Sequence, residues 1–149
     1  MSRAEQELLS GAALAVFKLN GQFLGLADDL AAPAGLTAAW WQVLGAVLPA
    51  PLPVAGIARE MGITRQSVQR IADLLVDRGL AEYRDNPAHR RAKLLVATEE
   101  GRAAVHRIDP AHSVAARALA RSVGRERLVE IVAALRELSE AVEDVHPRE

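Results

Sequence analysis

The sequence contains no cysteine, and this absence excludes disulfide bonds, thiolate metal sites and regulation by cysteine oxidation. Aromatic residues are also scarce, at 3% of the chain, whereas hydrophobic residues make up 50%, a balance that favours a folded, mainly helical protein. No run of about 18 apolar residues occurs, and the N-terminus lacks a basic region followed by an apolar core. We therefore expect a cytoplasmic protein that has no membrane partner.

The chain has no strong excess of charge of either sign, since its formal net charge is −1. The charge is nevertheless uneven, because the stretch from Arg59 to Lys93 holds eight basic and five acidic residues, a local net charge of +3. A protein that binds nucleic acid needs a basic surface rather than a basic chain. A +3 segment alone is weak support, since charges also distribute unevenly without a function. The length of 149 residues predicts one domain, residues 1–149.

Catalytic motifs are absent as well. None of the serines stands in a Gly-x-Ser-x-Gly context, and there is no glycine-rich phosphate-binding loop. His106, Asp109 and His112 are spaced by three and would share one side of a continuous helix, as zinc ligands can. Pro110 disturbs that helix, so surface polar residues are the favoured interpretation. We expect no enzyme activity, no cofactor and no metal.

The central part of the chain has a helix-turn-helix pattern. Gly62 and Thr64 predict a helix end and a helix start, because glycine adopts the left-handed turn and threonine accepts hydrogen bonds from unpaired N–H groups. The second helix, from about Arg65 to Asp77, has two faces. The apolar side chains predicted to point inward are Val68, Ile71, Leu74 and Leu75. The polar side chains predicted on the other side are Arg65, Gln66, Gln69, Arg70 and Asp73.

A basic hairpin, or wing, is predicted after this helix. Residues 80–84 and 93–96 have strand composition, and residues 85–88 have turn composition. Adjacent arginines at an exposed loop tip suit insertion into a minor groove or contact with phosphates, although the sequence does not decide which arginine does which. The candidate DNA contacts are Thr64, Arg65, Gln66, Ser67, Gln69 and Arg70 on the helix, with His89, Arg90, Arg91 and Lys93 in the wing. A merely solvated face is the alternative for the helix residues.

Long helices are predicted on both sides of this unit. One covers residues 5 to about 30, and the C-terminal helices are interrupted near Asp109 by Pro110 and again at residues 122–124. Apolar residues at helical spacing extend beyond the needs of a small core, so residues 5–25 and 112–145 are predicted to form a two-fold homodimer. The helix from about Arg65 to Asp77 is called the recognition helix below, and such a dimer would place its two copies about 34–36 Å apart, one DNA turn. An intramolecular bundle in a monomer is the alternative.

The order helix, turn, helix, wing and long helix resembles the MarR family of winged helix-turn-helix transcription regulators. The resemblance rests on GLTAAWWQVL from Gly35, IAREMGITRQSVQRIADL from Ile57, RGL from Arg78 and NPAHRRAKLLVATEEG from Asn86. It implies a mainly α fold with a small β-wing, in which residues 36–98 form a winged helix-turn-helix DNA-binding lobe between N- and C-terminal dimerisation helices. The family usually has an acidic residue where His89 stands and a leucine where Ala97 stands.

The resemblance also implies a function. It points to a sequence-specific regulator that binds double-stranded DNA, a ligand-responsive repressor that acts as a homodimer on a near-palindromic site. A small aromatic effector is implied too, with Trp40 and Trp41 as candidate ligand-binding residues, although one is expected in the core and packing explains both equally well. The alternative is a ligand-binding or protein-interaction module that keeps the fold without binding DNA, as the departures at His89 and Ala97 would suggest.

Overall fold

The computed structural model describes residues 2–148, and it confirms a mainly α-helical fold with a small β-wing. The N-terminal elements are α1 (Arg3–Ala31), a 3-10 turn (Ala32–Ala34), α2 (Ala38–Val47), β1 (Leu52–Pro53) and α3 (Val54–Met61). They are followed by α4 (Arg65–Asp77), β2 (Ala81–Arg84), β3 (Leu94–Ala97), α5 (Glu99–His106), α6 (Asp109–Val123) and α7 (Arg125–Val145).

Threonine starts three of these helices, among them α4, whose start at Thr64 the sequence predicts. Thr37, Thr64 and Thr98 accept a hydrogen bond from the backbone N–H three residues later, each at 3.1 Å. Each bond satisfies a donor that has no partner within its helix, and losing such a cap costs about 0.5–2 kcal/mol. Gly62 ends α3 with φ +70, a conformation in which a side chain would be strained. The turn between α3 and α4 is therefore determined by residues within the turn itself.

Proline sets the boundary between α5 and α6. α5 ends at His106, α6 begins at Asp109, and Pro110 occupies the first turn of α6. A proline is tolerated there because the missing N–H would have no intrahelical acceptor. The predicted break near Asp109 is confirmed.

The sheet has three antiparallel strands in the order β1-β3-β2. β2 and β3 form the hairpin, with Ala81 opposite Ala97 and Arg84 opposite Leu94. β1 adds a two-residue strand on the other edge of β3, where Leu52 lies opposite Leu95. β1 consists of Leu52, which lies between two prolines, and Pro53, and two residues are too few to show a strand periodicity in the sequence.

The contacts divide the chain into two compact units, the first ending at Asp109 and the second beginning at Pro110. The buried core belongs to the first unit, and burying each large apolar side chain there contributes about 1.5–3 kcal/mol. Its largest fully buried side chains are Val43, Leu44, Val47, Ile57, Val68, Leu75, Leu95 and Ile108. The organisation of all 149 residues as one domain stays a prediction.

Two predictions about the core are wrong. Leu74 is 43% exposed rather than inward-facing. The buried face of α4 is centred on Val68, Ala72 and Leu75, and Leu74 lies about 100° around the helix axis from Leu75, beyond the edge of that face. Neither tryptophan is a core residue, since Trp40 and Trp41 are both half-buried and pack against the core from outside.

Within residues 2–148 no single helix has the length and apolar character needed to cross a membrane. Only α1 with its 3-10 turn and α2, taken together, reach that length and composition, and they are bent by 81° at their junction.

Candidate DNA-binding surface

The outward face of α4 presents the polar side chains that the sequence singles out. Arg65, Gln66, Gln69 and Arg70 are exposed, while the opposite face of the helix is buried in the core. Thr64 and Ser67 play a different part, because the Thr64 hydroxyl accepts from the Ser67 N–H and donates to Ser67 Oγ at 2.9 Å. These two hydroxyl groups hold the start of the recognition helix together.

The wing is held by a local turn. Asn86 Oδ1 accepts from the Ala88 N–H at 3.0 Å, and the His89 N–H donates to the Asn86 carbonyl at 3.1 Å. Asparagine commonly folds a chain in this way, because its side chain mimics a backbone carbonyl. The four candidate contacts beyond the turn are all exposed: His89, Arg90, Arg91 and Lys93.

A groove of about 630 Å³ brings the recognition helix and the wing onto one surface. Arg65, Gln66 and Gln69 line it from α4, and Arg91 and Lys93 line it from the wing. Of the lining residues that the structure describes, three are cationic and none is acidic. Arg90 is exposed on the same turn but does not line this groove. The structure therefore distinguishes Arg91, which lines the groove, from Arg90, which does not, whereas the sequence alone does not distinguish them.

Tyr83, which the sequence does not single out, links the wing to the recognition helix. Its hydroxyl on β2 donates to Asp73 Oδ1 at 2.5 Å and accepts from Gln69 Nε2 at 2.9 Å. Gln69 Nε2 also donates to Asp73 Oδ1 at 3.0 Å. Burial, reinforced by the hydrogen bond and negative charge of Asp73, raises the pKa of Tyr83. The phenol therefore keeps its proton at neutral pH.

Charge changes along the outer face of α4. A second, shallower groove of about 530 Å³ runs along the helix past Gln66 and Arg70 to Asp73 and Asp77. The two carboxylates stand in the C-terminal half of the helix and repel phosphates, whereas the arginines stand in the first two turns. The N-terminal half of α4 is thus the half suited to nucleic acid.

Neither of the candidate ligand-binding tryptophans lines these two grooves. The Arg78 guanidinium carbon stands 5.5 Å from the centroid of the Trp40 ring, a cation–π contact that joins α2 to the end of α4. Such a contact contributes about 0.5–1 kcal/mol at an exposed site, so Trp40 has a clear packing role. His106 Nδ1 lies 3.2 Å from Asp109 Oδ2, yet residues 2–148 contain no group of three side chains arranged to hold a metal.

Comparison with known proteins finds a family that part of the chain resembles. Residues 34–92 match the model of the MarR family. The uncharacterized protein Rv2011c of Mycobacterium tuberculosis is 49% identical over 87 residues, which are 58% of this chain and 61% of that protein. The chain thus matches less than two thirds of the length of that relative.

Solved structures share the fold over nearly the whole chain. CouR from Rhodococcus jostii, solved bound to p-coumaroyl-CoA, is 25% identical with a TM-score of 0.69, and the match covers 93% of this chain and 94% of CouR. The regulator MosR of M. tuberculosis, solved in complex with DNA, is 23% identical with a TM-score of 0.72, covering 88% of this chain and 97% of MosR. The chain is thus similar to the MarR family over residues 34–92, and it shares the fold of CouR and MosR.

Proposed function

We propose that this protein is a transcriptional regulator that binds double-stranded DNA with sequence specificity. The groove between α4 and the wing carries the proposal, because Arg65 and Gln66 share it with Arg91 and Lys93. Arginine and glutamine read base edges in a major groove, while wing cations contact phosphates or enter the adjacent minor groove. The DNA complex of MosR, which has the same fold, supports this reading.

The regulator acts as a homodimer on a near-palindromic site. α1 exposes large apolar side chains, among them Leu9 and Phe17, each 70% exposed. α7 has its own exposed apolar residues, including Val129 at 66% and Val142 at 53%. Apolar surface on this scale is typical of an interface, and a second copy of the chain would cover it. Two-fold symmetry would then present two recognition helices to successive major grooves.

Its DNA binding responds to a small aromatic effector and represses transcription. CouR is a structural neighbour solved bound to p-coumaroyl-CoA, an aromatic acyl thioester. Trp40 and Trp41 are the candidate ligand-binding residues, because both are half-buried and present ring surface at the edge of the core. An effector releases DNA if it binds better to the dimer geometry that does not match the spacing of the site.

Salt dependence tests the proposed function directly. The logarithm of the affinity for a selected duplex should fall linearly with the logarithm of the salt concentration, with a slope of roughly −0.9 per phosphate neutralised. The reason is that lysine and arginine side chains of the bound protein release counterions from the DNA. Fluorescence anisotropy of a labelled duplex at several salt concentrations measures this slope. Absent or salt-insensitive binding would contradict the proposal and favour a protein-interaction module.

Substitutions in the wing and on the helix should behave differently. Arg91→Ala should weaken binding to all duplexes alike and reduce the salt slope by about one contact, since a phosphate contact carries no sequence information. Gln66→Ala should instead change the preference at one base position, by about 1–3 kcal/mol. Competition binding with a panel of single-base variants of the site measures both. If the Gln66→Ala variant kept the same base preference as the unmodified protein, the register assumed for the recognition helix would be wrong.

A further inference from the structure

We infer that Tyr83 is a positioning residue that fixes the wing beside the recognition helix before DNA binds. The inference rests on the proposed function and deepens it, because it concerns the same groove. Tyr83 lines that groove together with Arg65 and Gln66 of α4 and with Arg91 and Lys93 of the wing. Its role is to set where the wing cations stand, without contacting DNA itself.

The strand that carries Tyr83 lies at an edge of the sheet. β3 is the central strand, with β1 on one side and β2 on the other. Near the wing turn, Leu94 of β3 is paired with Pro53 of β1, so a second strand supports that side of the hairpin. β2 has no strand on its outer side within the described sheet. Because a short hairpin is only marginally stable by itself, the end of β2 needs another contact to keep its place.

The base of β2 is anchored by a backbone bond, but this bond lies at the end remote from the wing turn. The Leu80 N–H donates to the Leu75 carbonyl at 2.9 Å. Tyr83 stands three residues further along, next to Arg84, where β2 ends. A strand rises by about 3.3 Å per residue, so Tyr83 is about 10 Å from Leu80 along the chain. Tyr83 is therefore placed to control the wing end of the strand.

The Tyr83 hydroxyl ties this end of β2 to the recognition helix. It donates to Asp73 Oδ1 at 2.5 Å, a short distance that is expected when a hydroxyl bonds a carboxylate. Gln69 Nε2 lies 2.9 Å from the same hydroxyl and 3.0 Å from the same carboxylate oxygen. The Tyr83 ring packs against the core, so both ends of the side chain are held.

A wing that is held in place binds DNA more tightly because it is pre-organised. DNA binding orders any segment that moves in the free protein, and this ordering opposes association. In the unmodified protein the Tyr83 bond has already ordered the wing, so Arg91 and Lys93 stand in the groove from the start. The hydroxyl thus strengthens binding to every duplex alike, and it adds no base preference of its own.

Tyr83→Phe removes the hydroxyl and keeps the ring. The affinity for a selected duplex should fall by about 3- to 10-fold, the effect of losing one hydrogen bond. The salt slope should not change, because Arg91 and Lys93 still reach the phosphates once the wing is bound. In the free protein, the amides of β2 and β3 near the wing turn should exchange faster with deuterium, whereas those of α2 should not change.

Variants without the wing cations provide the control background. Four proteins are compared by fluorescence anisotropy at low salt, where weakened variants still bind. They are the unmodified protein, Tyr83→Phe, a variant that combines Arg90→Ala, Arg91→Ala and Lys93→Ala, and that variant with Tyr83→Phe added. Without the cations the wing has nothing to position, so adding Tyr83→Phe should change the affinity by less than about twofold. A tyrosine that touched DNA itself, or that only stabilised the fold, would lower the affinity equally in both backgrounds.

Four results would overturn the inference. They are an equal loss of affinity in both backgrounds, an unchanged affinity for Tyr83→Phe, unchanged deuterium exchange near the wing turn, and a salt slope that Tyr83→Phe reduces by about one contact. In each of these cases the unmodified protein still binds DNA, so the proposed function would stand. If the unmodified protein bound no duplex, the proposed function itself would fail, and the inference with it.

Discussion

Replacing Gly101 by alanine should lower the free energy of unfolding by about 1–3 kcal/mol or more, the usual cost of overpacking a buried site. A Cβ atom at this buried position would lie 2.0 Å from the Leu80 carbonyl oxygen and 3.3 Å from Leu44 Cδ2. The peptide groups around that oxygen cannot withdraw easily. The Leu80 carbonyl accepts from the Thr98 N–H at 3.1 Å, and the Leu80 N–H donates to the Leu75 carbonyl at 2.9 Å.

The effect should reach the DNA-binding surface as well as the core. Leu80 precedes β2, so a displaced carbonyl would tilt the wing relative to α4. Thermal and urea unfolding followed by circular dichroism measure the loss of stability. Each kcal/mol of lost free energy of unfolding lowers the Tm by about 2–4 °C in a domain of this size.

Gly45→Ala is the matched control. Gly45 lies inside α2, and a Cβ atom there would meet nothing within 4 Å among the described residues. Alanine is favoured over glycine within a helix by about 0.5–1 kcal/mol, so this variant should be slightly more stable. Equal stability of the two variants would contradict the close approach of α5 to Leu80.

Replacing Phe17 by glutamate should dissociate the proposed homodimer. The side chain is 70% exposed on α1, and covering it with a partner while it carries a charge would cost far more than the lost apolar contact. The solution mass should fall from that of two chains to 16.0 kDa, the mass of one. Affinity for a full palindromic site should fall by about 100-fold or more, because the second half-site is no longer bound by a linked copy.

Gln22→Glu adds the same charge to an exposed position of α1 and serves as the control. Gln22 follows Lys18 by one helical turn on the polar side of the helix, so the dimer and its affinity should be unchanged. Light scattering coupled to size exclusion gives the mass, and anisotropy gives the affinity. A Phe17→Glu protein that stayed dimeric, or an unmodified protein with the mass of a single chain, would refute the proposed interface.

Local interactions explain why so much of this fold is predictable from sequence. Thr37, Thr64 and Thr98 cap helices through residues three positions away, and Pro110 and Gly62 act through their own backbone conformations. The bounds of α3, Val54–Met61, and of α4, Arg65–Asp77, follow from signals of this kind. The resemblance to the MarR family supplies the arrangement of these elements, and the structure bears it out.

The sequence by itself determined the helices, the turn between them and the polar side chains that face outward, because each depends on neighbours within a few residues. Only the tertiary structure decided that Leu74 is exposed, that Arg91 rather than Arg90 lines the groove, and that Gln69 differs from Gln66. The bond between Gln69 and Tyr83 joins residues 14 positions apart in different elements. No periodicity or spacing encodes such a contact, since it exists only once the wing has packed beside the helix.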